Sequence, residues 1–232
     1  GEFVLATNID ILFSDALLQF LATKKLRADT MYRVDRWDVG SEVPEAPIAQ
    51  RLAWCEKNLL RVHRRDETVD LRSGTHQRIY WKRTPGVVLL EVLQKLRLIP
   101  VVTRDRLHVN GCGDFTLLAR SAWERLGGYP ELDRFSMHLD ALFCHAAYRG
   151  GMRECVLPEA LRAYHMEHAI GSGWSPEGNE KLNARLAQAG IEQVTLGEYF
   201  AWAVQMRKEK RALEFNDEKW GLAGENLAEW EA

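Results

Sequence analysis

Two neighbouring stretches decide how this chain is read: GDFTLLARSAWERLGGYPE at residues 113–131 and HLDALFCHAAYRGG at residues 138–151. In the first, a glycine-punctuated turn leads into the apolar run FTLLA, which has the length and composition of a short buried strand. A helix over SAWERLG follows, with Ser121 placed as its N-cap and Gly127-Gly128 as its stop, since glycine enters the left-handed conformation at a helix end without strain. Trp123 falls on the buried face of that helix and reads as core. The second stretch is another helix, ended by Gly150-Gly151. Asp140 lies near its start, where the helix dipole favours an ionised carboxylate.

Towards the N-terminus, FVLATNIDILFS reads as a buried strand and its C-terminal turn, unusual in carrying Asn8 and Asp10 within an apolar run. Strand ends are where α/β proteins set ligand-binding groups. On a strand, residues two apart point the same way, so Asn8 and Asp10 are expected to address one ligand together. The plainer alternative is a turn-forming asparagine and a helix-capping aspartate. SDALLQFLATKKL reads as a helix capped by Ser14 or Asp15, DTMYRVDRWDV as a strand, and IAQRLAWCEKNLLRVHRR as one amphipathic helix. Arg33 and Arg36 lie among Asp35 and Asp38, which favours an internal ion-pair network over contact with a ligand. VVLLEVLQKLRLIPVV reads as helix then strand. ECVLPEALRAYHMEH is strand and turn, delivering His165 and His168. From Gly173 onward the chain is a polar, helix-rich extension. Strands alternating with helices indicate an α/β fold.

The 232 residues are 46% hydrophobic and 28% charged with a formal net charge of −2, a globular composition. That balance argues against nucleic acid as the main partner, which would call for a basic stripe. No apolar run reaches the length of a membrane span, and the first residues do not read as a signal peptide. Cys55, Cys112, Cys144 and Cys155 are far apart, with no C-x-x-C pair, and read as reduced thiols of a cytoplasmic protein.

Along the chain the polar clusters run in a definite order: Asn8 and Asp10, the glycine loop NGCGDF, Asp140 at a helix start, then the histidines of YHMEH. In that order, and in the block R-x-x-W-x-x-x-G-G-Y at residues 120–129, the chain resembles nucleotide-sugar glycosyltransferases of the GT-A fold, family 2-like. The resemblance covers roughly residues 1–170 and is strongest over 108–168. It implies a partial, Rossmann-like GT-A domain: residues 1–172 as the metal, acceptor and base end, and 173–232 as a helix-rich C-terminal extension. The nucleotide-binding half of that family precedes the D-x-D strand, so the chain is expected to be a fragment lacking it.

The resemblance also implies roles. Asn8 and Asp10 match the D-x-D position, and Gly111, Gly113 and Asp114 the loop beside the donor sugar. Asp140 matches the catalytic base. His165, with His168 as second choice, matches the histidine that completes a divalent-cation site with Asp10, the ion being Mn2+ or Mg2+. The implied reaction is metal-dependent, inverting transfer from a nucleotide-sugar donor to a carbohydrate or other hydroxyl acceptor. The implied setting is cytoplasmic, compatible with peripheral association with a membrane. Two departures stand out: Asn8 replaces an acid, and Leu139 stands where the family often has Glu. Two rival readings follow from the same residues. One is a metal-dependent hydrolase using His138, Asp140, His165 and His168, although no H-E-x-x-H helix is present. The other is a catalytically inactive sugar-binding or scaffold domain.

Overall fold

The computed structural model describes residues 1–80, 84–135, 137–167 and 176–221. In chain order its strands are β1 (Phe3–Ala6), β2 (Ile11–Phe13), β3 (Thr30–Arg33), β4 (Arg36–Val39), β5 (Leu59–His63), β6 (Glu67–Asp70), β7 (His76–Arg78), β8 (Thr116–Ala119), β9 (Arg153–Val156) and β10 (Ala163–Met166). The helices are α1 (Asp15–Thr23), α2 (Ile48–Lys57), α3 (Pro85–Lys95), α4 (Arg120–Leu126), α5 (Leu139–Arg149), α6 (Pro176–Ala189) and α7 (Leu196–Glu209). The strands form two mixed sheets, ordered β1-β8-β3-β9 and β2-β10-β4-β5-β6-β7. In the first sheet only β3 and β9 run parallel; in the second only β10 and β4 do. The fold is α/β. No helix among the described residues is long and apolar enough to cross a membrane.

The four-stranded sheet is buried on both faces, which explains the unbroken apolar run of FTLLA. Leu117 and Phe115 face one side with Tyr32, Val34 and Leu17 of α1, whereas Leu118 and Met31 face the other. On that second side Trp123 stacks on Phe143 with ring centroids 4.4 Å apart, and Tyr129 packs edge-on to both. The indole Nε1–H of Trp123 donates to the Val4 carbonyl at 3.1 Å, tying α4 to β1. Gly127 ends α4 at φ 72°. Gly128 lies so close to the Trp220 ring that a Cβ there would come within 2.6 Å of it. The W-x-x-x-G-G-Y spacing is therefore a packing motif. α7 joins the same core through Tyr199, Ala203 and Met206.

The structure corrects several expected elements. Asn8 and Asp10 lie in the turn between β1 and β2, not on a strand. The expected strand over 29–39 is two strands, in different sheets, broken at Val34-Asp35. The helix expected to continue through Arg65 ends at Lys57; Leu59–His63 is β5, because pairing with β4 and burial of Val62 outweigh its equally good helical pattern. After α3 there is no strand at residues 96–102; Val102 N–H and Thr103 Oγ1 instead donate to Gln94 Oε1 at 3.2 and 3.1 Å. Ser121 does not cap α4, whose N-cap position is Ala119, without a side-chain bond. Ser14 does cap α1, accepting from Leu17 N–H at 3.2 Å.

Arg33 fastens the glycine loop to this frame. Its side chain is fully buried beneath the loop. It donates to the carbonyls of His108 (3.2 Å), Cys112 (3.0 Å) and Phe115, and to Thr116 Oγ1. Arg33→Ala is expected to destabilise the protein by about 3 kcal/mol, the cost of leaving buried carbonyls without donors. Arg33→Lys is expected to recover little of it, because an ammonium cannot reproduce the planar fork. Urea denaturation followed by circular dichroism measures both.

Candidate functional site

The chain passes from the first sheet to the second at Thr7–Asp10, and again at Val34-Asp35. Polar side chains gather at this seam. Within the first turn Ile9 is wholly exposed, and its two neighbours diverge. Asn8 turns to the glycine loop, where its Nδ2 donates to Asp114 Oδ1 at 2.7 Å; Thr7 Oγ1 donates to the Asp114 carbonyl at 2.8 Å. Asp10 turns to β10, its Oδ2 lying 3.2 Å from His165 Nε2.

The second sheet supplies the rest through strand alternation. Trp37, Val62 and Tyr164 bury one face against Leu52 and Cys55 of α2. The alternate residues Arg36, Asp38, Arg61, His63 and His165 therefore take the other face. Register brings them into rows: His165 is opposite Asp38, Asp38 opposite Arg61, and Arg36 opposite His63. Buried Asp38 is the hub. Its Oδ1 lies 3.2 Å from His165 Nδ1 and 3.0 Å from Arg36 Nε; its Oδ2 lies 2.7 Å from His63 Nε2 and 3.0 Å from Arg61 Nε. Burial alone would raise the Asp38 carboxyl, but hydrogen bonds from His165 and His63, with the charge of Arg36, hold it far below the usual carboxylate range. Arg36 also reaches across the seam, donating from Nη1 to Asp114 Oδ2 at 3.1 Å. Asp114 is thus gripped on one oxygen by Asn8 and on the other by Arg36.

The glycine loop explains why small residues are needed. Gly111 sits at φ 68°, and a Cβ there would meet Arg36 carbons at 3.2 Å and Asp114 Oδ2 at 3.3 Å. At Gly113 a Cβ would meet Asp140 Oδ2 at 3.1 Å and Asn8 Nδ2 at 3.5 Å. The loop backbone, Asn8 and Asp140 are therefore within one side chain's width of each other. Asp140 is the second residue of α5; its Oδ1 accepts from Ala141 N–H at 2.8 Å while Oδ2 faces Gly113. His138, at φ 66°, stacks on Tyr199 of α7.

The structure thus brings Asn8, Gly111, Gly113, Asp114 and Asp140 into one cluster and Asp10 with His165 into another, joined through Asp38 and Arg36. His168 lies outside the described residues. Among the described residues no group of three or more His, Cys, Asp or Glu is arranged to hold a metal. Asp10 Oδ2 and His165 Nε2 have, by contrast, the spacing of two adjacent ligands of an octahedral divalent ion, about 3 Å apart for bonds of about 2.1 Å. Water and ligand oxygens would fill the other positions, as is usual for magnesium. Asp38 behind His165 completes the carboxylate–histidine arrangement that fixes a metal-ligating ring.

The hub role of Asp38, and His63 altogether, were not evident from sequence. The available signal was the same one that marked Asn8 and Asp10: charged residues inside an apolar strand, here RWDV. Comparison of the chain with protein-family models and with curated proteins finds no match.

Because the Asp38 carboxyl is depressed in the folded state, it contributes stability that is complete above its unfolded value near 4 and is lost as pH falls below that. Asp38→Asn is expected to cost about 3 kcal/mol at pH 7, because Arg36 and Arg61 lose the buried carboxylate they share. The gap from the unsubstituted protein should narrow between pH 5 and pH 3, as urea titrations at each pH would show.

Proposed function

We propose that the chain carries the cation-binding and catalytic groups of an inverting glycosyltransferase that uses a nucleotide-sugar donor. The observation that carries this reading is convergence. Four segments that the sequence resemblance singled out, and that are far apart in the chain, meet at one seam: Asn8 on Asp114, Asp140 against Gly113, and Asp10 on His165.

Asp10 and His165 would hold a divalent cation, which when bound supplies charge neutralisation for the departing diphosphate. Asp38 orients the His165 ring. Asp114, fixed by Asn8 and Arg36, holds the loop rigid beside the donor sugar, and the bare backbone at Gly113 lets the Asp140 carboxylate lie against that loop. The Asp140 carboxylate accepts the proton of the acceptor hydroxyl as that oxygen bonds to the anomeric carbon. The bond from the anomeric carbon to the diphosphate breaks in the same displacement, and the nucleoside diphosphate leaves with the electron pair. A single displacement inverts the anomeric configuration.

Calorimetric titration of a nucleotide-sugar panel with and without Mn2+ tests the reading. Metal-dependent binding that Asp10→Ala abolishes is expected. Zinc uptake without nucleotide-sugar binding would sink it in favour of the hydrolase; sugar binding with neither metal dependence nor turnover would favour the scaffold domain. Asp140→Asn is expected to keep donor binding and lower turnover by about a hundredfold or more. Gly113→Ala is expected to impair turnover more than stability, since the new methyl displaces the Asp140 carboxylate by only a few tenths of an ångström.

A further inference from the structure

α3 is apolar on its outer side as well as its inner one. Val88, Leu89, Val92 and Leu96 form one helical stripe, and they are 39%, 57%, 44% and 61% exposed. Its inner side carries half-buried Val87, Leu90 and Leu93 together with buried, polar Gln94. Leu98 and Val102, both more than half exposed, add aliphatic surface just beyond the helix, and together with the stripe they make an exposed aliphatic ridge. An exposed apolar run of this extent marks an interaction surface.

Behind the ridge is an open cleft of about 1280 Å³, bounded by the end of α3, residues 97–101, the end of α5 and the C-terminal end of α7. Its lining holds eight basic side chains against four acidic ones. Some of the positive charge is spent internally: Arg149 grips Asp105 with Nε at 2.7 Å, and Arg65 reaches Glu154 at 2.8 Å. Lys95, Arg97, Lys208 and Lys210 are exposed, and among the described residues no ion pair engages them. Gln94 adds a separate signal. It lines the cleft; its Oε1 is occupied by Val102 and Thr103, but its buried Nε2 has no acceptor among the described residues. A buried donor left so is costly unless something supplies an oxygen. Leu98 belongs to both features, so ridge and cleft are continuous.

We propose that this face seats on an anionic phospholipid bilayer. The ridge enters the boundary between headgroups and acyl chains, and the basic cleft takes lipid phosphates. A protein groove is the less fitting partner, because the ridge is wholly aliphatic and lacks the Trp, Tyr and Arg anchors on which protein interfaces depend. Aliphatic residues flanked by lysine and arginine are what an interfacial helix needs. The proposal is independent of the glycosyltransferase reading.

Co-sedimentation with vesicles of phosphatidylcholine alone, or mixed with phosphatidylserine, tests it. Binding to the mixed vesicles only, weakened by salt, is expected. Leu89→Ser with Leu98→Ser should abolish it, and Lys208→Glu with Lys210→Glu should weaken it by at least about tenfold. All four positions are exposed, and circular dichroism checks that each variant folds. No binding to either vesicle overturns the proposal, as does binding that both variants leave unchanged. A concentration-dependent dimer that the leucine variant converts to monomer, without vesicle binding, also overturns it and assigns the ridge to a second copy of the chain.

Discussion

A buried guanidinium with no surface exposure holds the fold together at its least regular point. Moving Arg33 out of water costs several kcal/mol, which oxygen acceptors around the guanidinium offset. The loop supplies four, all to Nε and Nη1: the carbonyls of His108, Cys112 and Phe115 and the hydroxyl of Thr116, while Nη2 has no hydrogen-bond partner among the described residues. The dependence is mutual. A loop rich in glycine has few side chains with which to satisfy its own backbone, Thr116 Oγ1 on the Cys112 carbonyl being one, and buried carbonyls must be paired. The arginine makes an irregular loop rigid enough to position Asp114 and Gly113, and the loop makes a buried charge tolerable. His108 shares the arrangement: its ring is buried and bonded to Asp35 at 2.8 Å, and burial lowers its affinity for a proton, so it sits neutral beside Arg33.

What the sequence revealed is what local pattern can encode. FTLLA, the glycine stops after α4 and α5, and the core position of Trp123 follow from composition over a dozen residues. The site was legible as a set of members, not as an arrangement. Asn8 and Asp10 drew notice because polar groups in an apolar run are costly, but their divergence depends on a turn that carries the chain from one sheet to the other. Asp38 became visible as a hub only through register: it meets His165 and Arg61 across strands that lie far away in sequence, and no spacing rule reaches that distance. Leu59–His63 shows the other limit. Its apolar spacing suits a helix continuing from α2 as well as a strand, and the neighbouring β4 decides.

Arg33 and Arg36, three residues apart, have opposite duties. The first ends β3 and supports the loop from beneath; the second begins β4 and holds Asp114 and Asp38 from the other sheet. The break at Val34-Asp35 is what separates them. An uninterrupted strand through this segment would have placed both arginines in one sheet and left either loop or carboxylates unsupported.

That division makes the seam a mechanical joint as well as a site. The contacts of Asn8 with Asp114, of Arg36 with Asp114 and of Asp10 with His165 each bridge elements belonging to different sheets or to the turn between them. A ligand seated there would engage the very groups that lock one sheet to the other. Occupancy would then be felt throughout the molecule: by linkage, a bound state is a more cohesive state, and slow amide exchange in both sheets would report on what sits between them.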